Sequence, residues 1–277
     1  MKLSVKKFLA ASCLFIFLFS FFSTSMVSAV ELPKATPGEK TVKNLLLTSL
    51  QPVGSTMYIW GGGWQDETTG EGNGSNHIGV LPEWKEFFLK QDSNYDYHDY
   101  LFQRDKGLDC GGFVGWCIYN IMNTESGKEP YVSSDICKDC YDRGWGSYKD
   151  RDSEGFQVTD FKPGDLMNPP GHIWISIGQC DDGSVVLVHS SPCGVQINGT
   201  QTPDGKSDSE AIAIATYYME TYYPDWYMKY PCCERASDYL TRSSQFRWDV
   251  SGNGVLSDPD GYMNQTPQEI LEDLFSE

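Results

Sequence analysis

Between Asp109 and Met122 the apolar residues fall on two neighbouring stripes. Phe113, Cys117 and Ile121 recur at intervals of four, with Val114, Ile118 and Met122 beside them. At the α-helical period these positions share one wide face. The spacing predicts a helix of about three turns that has to be buried, capped by Asp109 and carrying Cys110 in its first turn. A fold built on this segment needs other elements on several sides of it.

The next strong pattern has a period of two. Ile173, Ile175 and Ile177 alternate with His172, Trp174 and Ser176, which predicts a strand over 172–178. Asp181-Asp182-Gly183 reads as a hairpin turn, and 185–189 as the partner strand ending in His189. A third short strand is expected over 194–197. Helices come first: one near Thr41 with Val42, Leu45, Leu46 and Leu50 on one side, and a short one over 81–89 with Pro82 in its first turn. A helix over 209–222 is ended by Pro224, and a last helix spans 266–275. Helices followed by a run of strands favour the α+β class. The glycine-rich stretch 61–79 reads as a long loop, and the polar stretch 123–160 as an insertion or connection.

The N-terminus sets the compartment. Lys2, Lys6 and Lys7 precede an apolar run over 8–22, and Val27-Ser28-Ala29 supplies small residues for cleavage. This is the pattern of a secretory signal peptide over 1–29, and the apolar run is short for a spanning helix of roughly 20 residues. No stable membrane anchor is expected after cleavage. Residues 30–40, with Pro33, Pro37 and Gly38, read as a flexible leader, and 41–277 as a single domain. Loss of the three leader lysines takes the formal charge from -17 to -20. So acidic a protein offers no nonspecific field to nucleic acid or to anionic membranes.

The chemistry centres on Cys110. A cysteine at a helix start faces the positive end of the helix dipole, which lowers its pKa and raises the thiolate fraction. Gly111 and Gly112 follow, leaving backbone N–H groups unobstructed as an oxyanion hole requires. Close approach of substrate would account for a glycine as helix-unfavourable as Gly112. His172 stands at a strand mouth, where it can take the thiol proton and deliver it to a leaving amine. His189 ends the neighbouring strand, where it can orient that imidazole.

Five blocks in this order resemble the NlpC/P60 cysteine peptidases. They are Tyr58-Ile59-Trp60-Gly61-Gly62, Leu108-Asp109-Cys110-Gly111-Gly112-Phe113-Val114, Lys162-Pro163-Gly164-Asp165-Leu166, Gly171-His172-Ile173 and Val188-His189. The resemblance covers about residues 55–197. It implies a papain-like fold with the nucleophile helix packed on a small antiparallel sheet. It implies Cys110 as nucleophile, His172 as base, His189 as the orienting residue and Tyr58 beside the site. Peptidoglycan peptide stems would be the substrates, cut by a secreted, wall-associated enzyme that needs no cofactor and no metal. The chain departs from the family in carrying Gly111 where serine is usual, in an insertion at about 64–107, and in a C-terminal extension after about 200.

Eight cysteines follow the signal segment. Outside the cytoplasm cysteines are expected to pair. With Cys110 catalytic and Cys117 on the buried stripe, Cys137, Cys140, Cys180, Cys193, Cys232 and Cys233 are left to form bridges of undetermined connectivity. Cys137 and Cys140 also have a zinc-like spacing without a matching histidine pair. The stretch from Asp249 to Asp260 has a partial calcium-loop pattern, and an ordinary Gly/Asn turn fits it as well. Two competing functions stay open: a thiol amidase or acyl transferase on another amide, and a catalytically weak wall-binding protein on the same fold.

Overall fold

A computed structural model describes residues 34–65, 74–154 and 156–276. The signal segment and the acidic residues Asp66, Glu67 and Glu71 of the glycine-rich loop lie outside the described residues.

The helix expected after Asp109 is α3 (Cys110–Met122). Asp109 is its N-cap and accepts from Gly112 N at 2.7 Å. Every residue from Gly111 to Ile121 is buried, so α3 is enclosed on all sides rather than on one face. α1 (Val42–Leu50) packs along it, and the sheet lies against it. Its one polar position is covered by the insertion. Asn120 Oδ1 accepts from Gly79 N at 2.7 Å, and its Nδ2 donates to His77 O at 3.0 Å. The described part of the leader is tied down as well. Gly38 N donates to Asn120 O at 2.8 Å, and Asn44 Oδ1 accepts from Thr36 N at 2.8 Å.

Among the described residues nine strands form one sheet. They are β1 (Met57–Tyr58), β2 (Gly107–Leu108), β3 (Gly146–Lys149), β4 (Leu166–Asn168), β5 (Trp174–Gln179), β6 (Val185–Ser191), β7 (Gly194–Thr200), β8 (Glu234–Arg235) and β9 (Ser244–Trp248). The order is β2-β1-β7-β6-β5-β4-β9-β3, with β8 pairing parallel to β7. β5, β6 and β7 form the antiparallel centre, in the registers Ile175↔Val188 and Val188↔Ile197. The alternation of β5 is real, but both of its faces are covered. Ile173, Ile175 and Ile177 join the core around α3, while Trp174 packs with Phe161, Met167 and Leu187 in a second cluster. The fold is α+β.

Three helices besides α1 and α3 agree with the sequence pattern, and a fourth, α6, was not expected. α2 (Pro82–Leu89) has Pro82 in its first turn, α5 (Glu210–Tyr222) is capped by Ser209, and α7 (Pro267–Ser276) ends the description. Pro224 does end α5, yet it also begins α6 (Pro224–Lys229), where a first-turn proline lacks only an N–H that needs no helical partner. The stretch 123–160 is more ordered than a connection: α4 (Ile136–Asp142) and β3 lie within it. α4 is capped by Asp135, which accepts from Lys138 N at 3.1 Å.

The expected disulfides do not form: all eight described cysteines are free thiols. Cys137 and Cys140 sit on α4 as core residues, and Cys137 donates its S–H to Leu166 O at 3.5 Å. Among the described residues one group of three side chains is close enough to hold a metal ion, Cys180, Asp182 and Glu210. It includes neither Cys137 and Cys140 nor the 249–260 stretch, where Asp249 instead accepts from Ser251 N and Asp258 from Tyr262 N.

The Lys162–Asp165 turn has a structural purpose. Asp165, 1% exposed, accepts from Lys162 N at 2.8 Å, from Gln245 Nε2 at 2.9 Å and from Arg247 Nη2 at 2.6 Å. Gln245 and Arg247 alternate along β9 and bring that strand to the turn. Removing one partner of a buried ion pair strands the other charge. Arg247→Met is therefore expected to destabilise the fold by about 3 kcal/mol, read as a lower midpoint in urea unfolding with an unchanged m-value.

Candidate active site

The start of α3 is locked to the turn that follows β1. Asp109 N donates to Gly62 O at 3.0 Å. The Asp109 carboxylate accepts from Gly61 N at 3.1 Å and from Trp64 Nε1 at 3.0 Å, besides capping α3 through Gly112 N. The two backbones touch at glycines. A Cβ on Gly112 would lie 2.1 Å from Gly62 O, and one on Gly63 would lie 2.7 Å from the Gly112 Cα. Gly112 is thus required by the chain's own packing and not by close approach of substrate. Its N–H is used by Asp109, so it is not a free oxyanion donor either. Gly111 has more room, with the Trp64 ring 3.2 Å from where its Cβ would stand.

This junction fixes Cys110 on the wall of a cavity of about 570 Å³. Tyr58, Trp64, Asp109, Gly111, His172 and Ile173 also line it. The insertion contributes Phe102 and Arg104 to the lining, and Arg151 lines it as well. Phe102 holds a left-handed backbone with φ of 61°, a conformation that bulky residues rarely adopt. The insertion also braces β1, since Tyr95 Oη donates to Tyr58 O at 2.5 Å. Burial raises the Tyr58 phenol well above its ordinary pKa, which keeps it a neutral donor at the cavity edge.

Cys110 does not have the lowered pKa that its helix position suggests. Burial, followed by the neighbouring Asp109 carboxylate, pushes the thiol up to about 11. The backbone N–H groups of Ile173, Gly111 and Cys110 itself pull the other way, with smaller effect. Those N–H groups face the sulfur and favour its charged form.

His172 lies in the approach to β5, whose first residue is Trp174. Its Nε2 is 2.8 Å from His189 Nδ1, and His189 Nε2 is 2.8 Å from Asn198 Oδ1. His189 is completely buried on β6, and Asn198 is buried on β7. No hydrogen bond joins the Cys110 thiol to His172, although both face the same cavity. Burial, followed by the Arg235 guanidinium, lowers His172 to about 4. The same two causes hold His189 well below its ordinary value. At neutral pH the resting site is an uncharged thiol beside an uncharged imidazole pair.

All seven residues singled out from the sequence, Tyr58, Asp109, Cys110, Gly111, Gly112, His172 and His189, meet in this one region. Three others were missed. Asn198 continues the polar chain behind His189. Arg235 approaches His189, with Nε 3.2 Å from Nε2. Tyr239 stands over the pair, its ring 5.8 Å from that of His172 and 6.1 Å from that of His189. Arg235 and Tyr239 come from the region after residue 200. The one available signal was for Asn198, which directly follows the short strand expected over 194–197.

Comparison with protein-family models gave no match, and neither did comparison with curated proteins or with solved structures.

Three outcomes are expected here. Gly112→Ala drives a methyl into the Gly62 carbonyl, so it should lower the thermal midpoint sharply or abolish folding. Gly111→Ser meets the Trp64 ring at 3.2 Å and Asp109 Oδ1 at 3.6 Å, both side chains, and should fold with little change, as differential scanning calorimetry would show. Separately, iodoacetamide labelling of the Cys110 peptide, followed by mass spectrometry, should be slower than for a free thiol at pH 8. Its rate should climb toward a midpoint near 11.

Proposed function

We propose that the protein is a cysteine hydrolase that cuts a peptide or amide bond in peptidoglycan stem peptides, secreted and associated with the cell wall. The observation that carries this reading is that Cys110 and His172 line one cavity, with His189 hydrogen-bonded behind His172. The order of motifs that resembles the NlpC/P60 peptidases supports it, as does a cysteine helix packed against an antiparallel sheet. Arg104 and Arg151 on the cavity walls suit the carboxylates of a stem peptide.

The chemistry follows from a neutral resting state. Cys110 sulfur attacks the scissile carbonyl carbon while His172 takes the thiol proton as general base. The carbonyl oxygen gains the charge and is met by backbone N–H groups around Cys110. His172 then gives its proton to the leaving nitrogen as the C–N bond breaks, leaving a thioester on Cys110. Water attacks the thioester with His172 again as base. A carboxylic acid departs and the thiol is restored. His189, backed by Asn198, holds the His172 ring through Nε2, so that Nδ1 is available to the cavity.

The neutral thiol, unbonded to His172, favours one second reading: a catalytically weak wall-binding protein on the same scaffold. A thiol amidase or acyl transferase would use the same thioester.

Digestion of purified peptidoglycan by the mature protein separates these readings. New stem-peptide fragments, seen by mass spectrometry and absent with Cys110→Ala, are expected. Binding to walls with no Cys110-dependent fragment would establish the second reading instead. The reactive form needs His172 unprotonated, and the folded pKa is lowered to about 4. Activity should therefore be lost only as the pH falls through about 4, and kcat/KM should be flat across neutrality.

A further inference from the structure

His189 Nε2 has two neighbours with opposite demands. Asn198 Oδ1, at 2.8 Å, can only accept a hydrogen. Arg235 Nε, at 3.2 Å, can only donate one. A neutral ring nitrogen carries either a hydrogen or a lone pair, so it satisfies one neighbour at a time.

The choice propagates along the pair. With the hydrogen on His189 Nε2, directed at Asn198, His189 Nδ1 is bare and accepts from His172 Nε2 across 2.8 Å. His172 Nδ1 is then bare and can take the Cys110 proton. With a lone pair directed at Arg235, each hydrogen moves one place. His189 Nδ1 donates to His172 Nε2, and His172 Nδ1 carries the hydrogen. In that form His172 offers Cys110 a donor and no base.

Arg235 is held where it can impose the second form. It lies on β8, which pairs with β7 at Thr200↔Arg235. Its Nη1 donates to Glu234 O at 2.8 Å, and its side chain is hydrogen-bonded to Tyr239. The other titratable or charged groups around the pair are Cys110 on α3, Tyr239, and Asp238 and Arg242. The last two line a second cavity of about 270 Å³ that opens on His172. None of them competes for His189 Nε2.

We propose that Arg235 is a positioning residue that selects the tautomer of the His172–His189 pair: engaged with His189 Nε2, it withholds the base from Cys110, and released, it lets Asn198 restore it. This rests on the reading of Cys110 as nucleophile and His172 as base. The nearby cation also explains in part why both rings resist protonation.

The test is ¹⁵N NMR of histidine-labelled full-length mature protein, as wild type, Arg235→Met, Arg235→Lys and Asn198→Ala. The wild type should show a substantial population with hydrogen on His172 Nδ1. Arg235→Met should invert it, giving a bare His172 Nδ1, and should raise the pair's titration midpoint by about one to three units. Arg235→Lys, which keeps a cation, should stay nearer the wild type. Asn198→Ala should deepen the Nδ1–H population and keeps the test open if Arg235→Met does not fold. A wild-type His172 Nδ1 already bare, or tautomers and midpoint unchanged by both Arg235→Met and Asn198→Ala, would overturn the proposal. The NMR result is independent of any substrate. Inverted tautomers without Cys110-dependent cleavage would remove the hydrolase reading and leave the role of Arg235 in ring chemistry standing. With a cleaved substrate, Arg235→Met should also move the acid limb of kcat/KM upward by the same shift, which a merely structural residue would not do.

Discussion

The Asp109 carboxylate joins three things that would otherwise be independent. It caps α3, it takes the N–H of Gly61, and it takes the indole N–H of Trp64. Because a helix leaves its first N–H groups unsatisfied, such a cap fixes where α3 begins and hence where Cys110 stands. The glycines of the turn after β1 then let two backbones meet without side chains between them. Without that contact the cavity would lose one wall and the thiol its position.

The same arrangement has an electrostatic consequence. Burial penalises charge on every reacting group. Asp109, needed for geometry, further disfavours a thiolate, and Arg235 disfavours an imidazolium. Both neighbours have the sign that opposes a preformed ion pair. A neutral thiol and a neutral imidazole can still react if proton transfer accompanies attack, since no thiolate then has to form beforehand. Such a site is expected to react slowly with simple alkylating agents at neutral pH.

Periodic segments were legible in the sequence. α3 and the β5–β6–β7 region announced themselves because burial demands regular apolar spacing over many residues. Six of the seven candidate residues could be named for a related reason: each lies on or beside one of those segments, whereas Tyr58, on β1, came from the resemblance alone. What stayed hidden is set by tertiary context. α4 and β3 are short and polar at their exposed positions, so the 123–160 stretch reads as a connection. β9 carries an alternation of Phe246 and Trp248 with Gln245 and Arg247, yet its partner Asp165 is 80 residues away. Gly112 was read correctly as a close approach, but the approaching group is Gly62 rather than substrate. Arg235 had no local signal, because its relation to His189 exists only once β8 pairs with β7.

Placing Cys110 as the nucleophile is the claim on which the rest depends. Its most direct measurement is acid-quench mass spectrometry of the mature protein mixed with soluble stem peptides. A mass increase equal to the acyl fragment, located on the Cys110 peptide and absent in His172→Ala, is the expected result. Cleavage products released by Cys110→Ala at the wild-type rate, or an acyl adduct on another residue, would contradict it.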